Sequence, residues 1–258
     1  MIRFFCRIES INYSSLFILF IDIICVKFTN KVIFSHHIYM HNTVKNLLDI
    51  ENNINIYLNK LNINNNPKII AVSKTFKIDK VQPLIKHGHI HYGENKVQEA
   101  IEKWTEIKKI NSQIKLHMIG KLQTNKVKFA VQIFDYIHSV DSEKLAKKIA
   151  DEQNKINKKI KIFLQVNIGD ENQKSGISKN NIHQLVSYCK EIGLDLIGLM
   201  CIPPIDTNPE GYFEEMKNLN QDLGFAELSM GMSSDFLIAA KHLSTYVRVG
   251  SSIFGQRF

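Results

Sequence analysis

Short apolar runs and longer amphipathic segments alternate along most of this chain. Residues 69–72 read Ile-Ile-Ala-Val and are bounded by polar residues, a pattern typical of a buried strand. Comparable runs recur towards the end of the sequence. We predict eight strands, at residues 69–73, 89–93, 115–119, 136–140, 161–168, 194–200, 227–230 and 246–249.

Segments with apolar residues at helical spacing precede the first strand and separate the others. We predict eight helices, at residues 42–60, 80–86, 96–109, 125–131, 142–154, 179–190, 209–223 and 234–242. Strict alternation of equal numbers of strands and helices predicts the α/β class and a single (β/α)8 TIM barrel. A doubly wound open sheet is the alternative, but no G-x-G-x-x-G motif opens any predicted helix.

The first 39 residues follow a different pattern. Arg3 and Arg7 precede an apolar run at residues 16–26, which is interrupted by Asp22. The run is too short for a membrane span and resembles the apolar part of a signal peptide, although no clear cleavage site follows. Two interpretations stay open: residues 1–39 target the protein to an organelle, or they are a dispensable extension ahead of a barrel at residues 40–258.

Composition narrows the function classes. Apolar residues make up 44% and charged residues 22% of the 258, as in ordinary globular proteins. The net charge is +8, but the lysines are spread over predicted helices without interleaved aromatic residues, so we expect no nucleic-acid or membrane partner for the barrel. Four cysteines without zinc spacing favour a reducing, cytoplasmic location. His87, His89 and His91 alternate, which indicates strand packing rather than a metal site.

A barrel brings the carboxyl ends of its strands to one mouth, where active sites of this fold lie. Lys74 follows the first strand directly. Apolar barrel walls lower the pKa of an ammonium group, and a partly neutral lysine binds a carbonyl group as a Schiff base. Glu94 and Asp141 also follow strands, but we expect them to cap helices or lie at the surface.

The last two strands are followed by residues suited to an anion. Gly231 and Gly250 allow backbone amides to approach a ligand, and three serines offer hydroxyl groups, Ser229, Ser233 and Ser251. Barrel phosphate sites often lie after strands seven and eight. An aldehyde site and a phosphate site on one ligand indicate pyridoxal 5'-phosphate (PLP), with Arg248 facing its ring nitrogen.

Several motifs in order carry a family resemblance over residues 40–257. They are Ala-Val-Ser-Lys at 71–74, Gly-Glu-Asn-Lys-Val-Gln-Glu at 93–99, His-Met-Ile-Gly-Lys-Leu-Gln-Thr-Asn-Lys at 117–126, Ser-Gly at 175–176, Gly-Leu-Met at 198–200, Leu-Ser-Met-Gly-Met-Ser-Ser-Asp at 228–235 and Val-Arg-Val-Gly-Ser-Ser-Ile-Phe-Gly at 247–255. Together they closely resemble the pyridoxal phosphate homeostasis protein family, whose barrel is of the alanine racemase N-terminal-domain type.

The resemblance implies a role for seven residues. Lys74 would be the Schiff-base lysine, Asn95 would line the cofactor pocket and Arg248 would sit at the pyridine nitrogen. The residues around the phosphate would be Ser229, Met232, Gly250 and Ser251. The sequence departs from the family pattern at Lys96, often tyrosine, at Lys121, often proline, at Leu237, commonly acidic, and at Leu243, usually glycine.

The implied function is non-catalytic. A protein of this family would hold PLP as a Schiff base and supply it to PLP-dependent apoenzymes. The alternative is a PLP-dependent racemase or decarboxylase, but barrel racemases carry a second, β domain with a catalytic tyrosine. The sequence ends at Phe258, soon after Arg248, so we expect no such domain. An arginine at the ring nitrogen would also weaken the cofactor as an electron sink.

Overall fold

The computed structural model describes residues 21–28, 31–38, 40–171 and 173–256. The chain divides into two compact units, residues 1–41 and 42–258. In the first unit, β1 (Ile21–Phe28) pairs antiparallel with β2 (Lys31–Ile38). Part of the apolar run at 16–26, together with Arg3 and Arg7, lies outside the described residues, so both interpretations of residues 1–39 stay predictions.

Eight parallel strands of the second unit form a closed barrel in the order β10-β3-β4-β5-β6-β7-β8-β9. Their bounds are β3 (Lys68–Val72), β4 (His91–Glu94), β5 (Lys115–Met118), β6 (Tyr136–Val140), β7 (Lys161–Val166), β8 (Asp195–Cys201), β9 (Glu227–Ser229) and β10 (Tyr246–Val249). The predicted (β/α)8 barrel is therefore confirmed. β7 ends two residues before its predicted end because the Asp170 amide donates to the Asn167 carbonyl and closes a turn.

Helices alternate with these strands as predicted. They are α1 (Asn42–Lys60), α2 (Ile78–His87), α3 (Val97–Ile110), α4 (Val127–Ile133), α5 (Glu143–Lys155), α6 (Ile182–Glu191), α7 (Glu210–Asp222), α8 (Phe236–Lys241) and α9 (Ser251–Phe254). Turns of 3-10 helix at Thr124–Lys126 and Lys179–Asn181 lead into α4 and α6. Among the described helices, none combines the length and the apolar character that a membrane-spanning segment requires.

Two apolar layers stabilise the barrel. The larger lies between the strands and the surrounding helices, and the smaller fills the barrel interior. The interior residues are Ile70, Val72, Tyr136, Phe163, Met200 and Tyr246. Two histidines on neighbouring strands, His117 and His138, are fully buried in the same region. Buried histidines require hydrogen-bond partners, so the interior is polar along part of its length.

Candidate functional site

Lys74 lies half-buried immediately after β3, at the carboxyl-terminal mouth of the barrel. The residues on both sides of it are held by side chains of other elements. The Ser73 hydroxyl is fully buried and donates to Glu94 Oε1 at 2.7 Å. The Thr75 amide donates to Glu99 Oε1 at 2.5 Å. Thr75 has φ of 68°, a strained conformation for a β-branched residue, so these contacts hold an unfavourable backbone at the residue directly after Lys74.

Glu94 is the centre of this support. Its side chain is fully buried at the end of β4, and Oε1 accepts from Lys103 Nζ at 2.9 Å and from Trp104 Nε1 at 3.0 Å. Lys103 Nζ also donates to the Ser73 carbonyl at 2.8 Å and pairs with Glu99 at 3.1 Å. We call these five residues the Glu94 cluster. The predicted capping or surface role of Glu94 is therefore wrong, because α3 covers the carboxylate.

Asn95 follows Glu94 and lies half-buried at the mouth. Its Oδ1 atom is buried and has no hydrogen-bond partner among the described residues. Gly120 packs against it so closely that a Cβ atom there would lie 2.5 Å from the Asn95 carbonyl oxygen. A side chain at residue 120 would clash with Asn95, so the loop after β5 can pack this closely only because residue 120 is glycine. A buried amide oxygen without a donor costs about 1–3 kcal/mol, so this atom is suited to a donor from a ligand.

Arg248 lies on β10, which pairs with β3 so that Arg248 is opposite Ile70. It is 4% exposed, and it donates from Nη1 to Ser229 Oγ and from Nη2 to the Cys201 carbonyl, both at 2.8 Å. Burial lowers the pKa of the guanidinium. Within the described part of the chain, no carboxylate lies within ion-pair distance of it. A buried guanidinium without a carboxylate partner is suited to a ligand that carries a hydrogen-bond acceptor or a negative charge.

The segments predicted to surround a phosphate lie after β9 and β10. The Met232 amide donates to Asp235 Oδ1 at 2.5 Å, and the Gly250 amide donates to Ser233 Oγ at 3.2 Å. Gly231 has φ of 90°, and a Cβ atom there would lie 2.5 Å from Ala239. Ser251 is exposed at the start of α9. Ser229 differs from these residues because its hydroxyl is fully buried beside Arg248.

Comparison with known proteins identifies the family to which this chain belongs. The profile of the family described as "Alanine racemase, N-terminal domain" matches residues 46–257. The pyridoxal phosphate homeostasis protein of Aquifex aeolicus is 36% identical over 200 residues, covering 74% of this chain and 87% of that protein. This chain belongs to the pyridoxal phosphate homeostasis protein family. The resemblance inferred from the motifs is therefore confirmed.

Solved structures support the same assignment. PipY of Synechococcus elongatus, without PLP, aligns with a TM-score of 0.75 and 29% identity over 83% of this chain and 100% of that chain. PipY with PLP bound aligns with a TM-score of 0.66 and 31% identity over 78% of this chain and all of that one. The barrel of this homeostasis-family member is thus shared with a protein that has been solved both with and without PLP.

Departures from the family pattern lie away from the buried contacts. Lys96 and Lys121 are exposed in the loops after β4 and β5. Leu237 lies on α8, and Leu243 follows that helix with φ of 62°. A left-handed backbone at Leu243 explains why glycine is usual there. Neither lysine is a partner in the hydrogen bonds described around Glu94 or Arg248.

Sequence reasoning did not find the residues that support the predicted ones. Glu99, Lys103 and Trp104 of α3 hold the segment around Lys74, and the only local signal is the four-residue spacing of Glu99 and Lys103. His117 and His138 occupy interior positions of β5 and β6. Their only signal in the sequence is a polar residue within an otherwise apolar strand.

Proposed function

We propose that this chain binds PLP at the barrel mouth, holds it through Lys74 and supplies it to PLP-dependent apoenzymes without turning over a substrate. The observation that carries the proposal is the placement of a braced lysine and a buried arginine on neighbouring strands at one mouth. The names of the relatives and the PLP-bound structure of PipY support the choice of ligand.

The residues present fit this cofactor. PLP carries an aldehyde, a hydroxyl group, a pyridine nitrogen and a phosphate. Lys74 is the amine for the aldehyde, and the unpartnered Asn95 Oδ1 is an acceptor for a hydroxyl group. Arg248 has no carboxylate partner among the described residues and is a donor for the ring nitrogen. For the phosphate we propose the segments containing Met232, Gly250 and Ser251, whereas the hydroxyl of Ser229, also predicted there, already bonds to Arg248 and His138.

Each protein group has a defined task in this proposal. When bound, PLP supplies an aldehyde that condenses with the Lys74 amine, forming a C=N bond and releasing one water molecule. Arg248 would keep the ring nitrogen unprotonated, because a guanidinium donates hydrogen bonds and does not accept them. An unprotonated ring withdraws fewer electrons, which disfavours amino-acid chemistry. The Glu94 cluster would keep Lys74 at one position.

A PLP-dependent racemase or decarboxylase is the alternative function. The homeostasis names of the relatives favour the carrier.

We further propose that residues 40–258 carry the whole cofactor site and that residues 1–39 are an extension outside it. The cytoplasmic location stays a prediction.

An absorbance spectrum of the purified protein tests the binding proposal. Protein loaded with PLP should absorb visible light, and reduction with borohydride should remove that band and fix the label on Lys74. The matched control is Lys77→Ala, an exposed lysine three residues away, which should keep the band. Lys74→Ala should lose it with an unchanged circular dichroism spectrum. A label on another lysine would contradict the assignment.

A second experiment separates carrier from enzyme. Incubation of the loaded protein with L-amino acids should give negligible D-isomer, decarboxylation or transamination, while an added apoenzyme should gain activity as it takes up PLP. Turnover at ordinary enzyme rates, roughly 1 per second or faster, would refute the carrier function if Lys74→Ala abolished it. Failure to activate any apoenzyme above the rate given by free PLP would refute the supply role.

A further inference from the structure

A chain of hydrogen bonds crosses the barrel interior behind Arg248. Arg248 Nη1 donates to Ser229 Oγ at 2.8 Å, and Ser229 Oγ lies 2.9 Å from His138 Nδ1. His138 Nε2 lies 2.9 Å from His117 Nδ1, and His117 Nε2 lies 3.0 Å from His91 Nδ1. We call Ser229 and these three histidines the histidine column. The column begins at Ser229, which accepts from Arg248, and ends at His91, the first residue of β4.

Arg248 fixes the direction of every bond in the column. A guanidinium only donates, so Ser229 Oγ must accept from it. The hydroxyl of Ser229 has one proton, and His138 Nδ1 is its only other partner among the described side chains and backbone groups. If His138 donated to Ser229 instead, the buried hydroxyl proton would have no acceptor, and a buried donor without a partner is destabilising.

The remaining protons then follow in order. His138 accepts at Nδ1, so a neutral ring carries its proton on Nε2 and donates it to His117. His117 likewise accepts at Nδ1 and donates from Nε2 to His91. The ordering requires neutral rings, because a charged imidazole has no acceptor nitrogen.

The surroundings keep the rings neutral. His117 and His138 are fully buried, and burial lowers the pKa of each well below its ordinary value. His117 stacks on Tyr136 at 4.2 Å between ring centroids, and His138 stacks on Phe163 at 4.3 Å. The charged groups that act on the column are mostly cations, which also oppose protonation. They are Lys68, Lys108, Lys115 and Arg248, with His89 as a further basic group and Asp135 as the opposing carboxylate.

The far end of the column meets a cavity. His91 is half-buried and lines a space of about 400 Å³ between α1 and the amino ends of β3 and β4. Glu51, Asn55 and Lys68 also line it. The column therefore joins the mouth, where Arg248 lies, to a polar cavity at the opposite end of the barrel.

We propose that Ser229, His138, His117 and His91 are positioning residues for Arg248, and that their one-way order of protons holds the guanidinium in place for a ligand at the mouth. The identity of that ligand as PLP rests on the proposed function, but the order of protons does not. Two of the five N–H groups of Arg248 are used by Ser229 and Cys201, which leaves the others for the ligand.

The order of protons is tested without any cofactor. Nitrogen-15 spectra of the histidine-labelled full chain at pH 7 should show His91, His117 and His138 neutral, with the proton on Nε2 in each. Signals are assigned with single histidine variants. A proton on Nδ1, or a charged ring, at any of the three in the unaltered protein would overturn the proposal. Ser229→Ala should release His138 from a single tautomer, whereas Ser139→Ala should not.

Ser139 is a matched control because it is the next residue on β6, is 2% exposed, and its hydroxyl has no hydrogen-bond partner among the described residues. The positioning role is tested with PLP. His138→Leu should weaken PLP binding about tenfold, the factor that corresponds to one hydrogen bond of about 1.4 kcal/mol. His138→Gln keeps an acceptor and a donor in one amide and should stay within about threefold of the unaltered protein.

The outcomes of the two measurements are separable. If His138→Leu binds PLP as tightly as the unaltered protein, the positioning role is wrong even if the tautomers are as stated. If the unaltered protein binds no PLP, the proposed function fails, and the nitrogen-15 spectra alone decide the ordered column. If Ser139→Ala weakens binding as much as His138→Leu, general disturbance of β6 explains the loss and the column is refuted as the cause.

Discussion

Replacing Lys103 with methionine removes the only cation of the Glu94 cluster while keeping most of the apolar side chain. Glu94 would then be a fully buried carboxylate with two neutral donors, Ser73 and Trp104. The Lys103 side chain is 8% exposed, so the pair is buried on both sides. Removal of one partner from such a pair costs about 3–5 kcal/mol, since the remaining charge has lost its compensation.

That loss is large against a typical folding free energy of about 5–15 kcal/mol. Urea unfolding followed by circular dichroism measures it directly. Lys103→Met should lower the free energy of unfolding by about 3 kcal/mol or more, and Glu94→Gln in the same chain should recover most of the loss, because the buried charge is gone. The matched control is Lys109→Met, which breaks an exposed pair with Glu106, side chains 64% and 77% exposed, and should cost below ~1 kcal/mol.

The same variant tests the link from stability to function. Lys103 also donates to the Ser73 carbonyl, directly before Lys74, so its loss should loosen the lysine and weaken retention of PLP. If Lys103→Met costs no more than Lys109→Met, the buried ion pair does not stabilise the mouth. If the double variant is less stable than Lys103→Met, the loss does not come from an uncompensated Glu94.

Three further predictions concern other parts of the chain. Leu243→Gly should raise the free energy of unfolding by about 0.5–1 kcal/mol, because a left-handed leucine costs about 1–2 kcal/mol, whereas Leu243→Ala should change it little. Burial lowers the pKa of His91 to about 4, so the unfolded chain binds more protons than the folded one between about pH 4 and 6.5. The free energy of unfolding should therefore fall on acidification, by about 1.4 kcal/mol per pH unit for each such histidine. Urea unfolding at pH 7 and pH 5 measures this fall, and His91→Gln should reduce it. A chain beginning at Met40 should fold and bind PLP like the full chain, and loss of folding would show that residues 1–39 belong to the barrel.

The fold was predictable because its signals are local. α1, β6 and β10 match the predicted bounds to the residue, since apolar spacing marks each one without reference to the rest of the chain. The four-residue helix α9 was not predicted, because four residues are too few to show helical spacing. The helix predicted at residues 125–131 begins inside the 3-10 turn that precedes α4, because a three-residue turn is also too short to show its own spacing.

The site was predictable only in part. The barrel topology places Lys74 and Arg248 at strand ends, and both lie at the mouth. Which groups support them depends on contacts between distant segments, and no local pattern shows those. Lys103 reaches from α3 to the carbonyl of Ser73, 30 residues earlier, and His138 reaches Ser229, 91 residues later. The alternation of His87, His89 and His91 predicts strand packing, but His87 ends α2, His89 precedes β4, and only His91 lies on the strand, where it bonds to His117.

Strand β4 connects the two supports of the mouth. Successive side chains of a strand point to opposite faces, so His91 and Glu94, three residues apart, face different sides of the barrel wall. His91 bonds to His117 in the interior, and Glu94 bonds to Trp104 and Lys103 on α3. The inner network holds Arg248 and the outer one holds the residues next to Lys74. Because the two networks share no side chain, Lys103→Met should leave the histidine tautomers unchanged, and His138→Leu should leave the coupling between Glu94 and Lys103 intact.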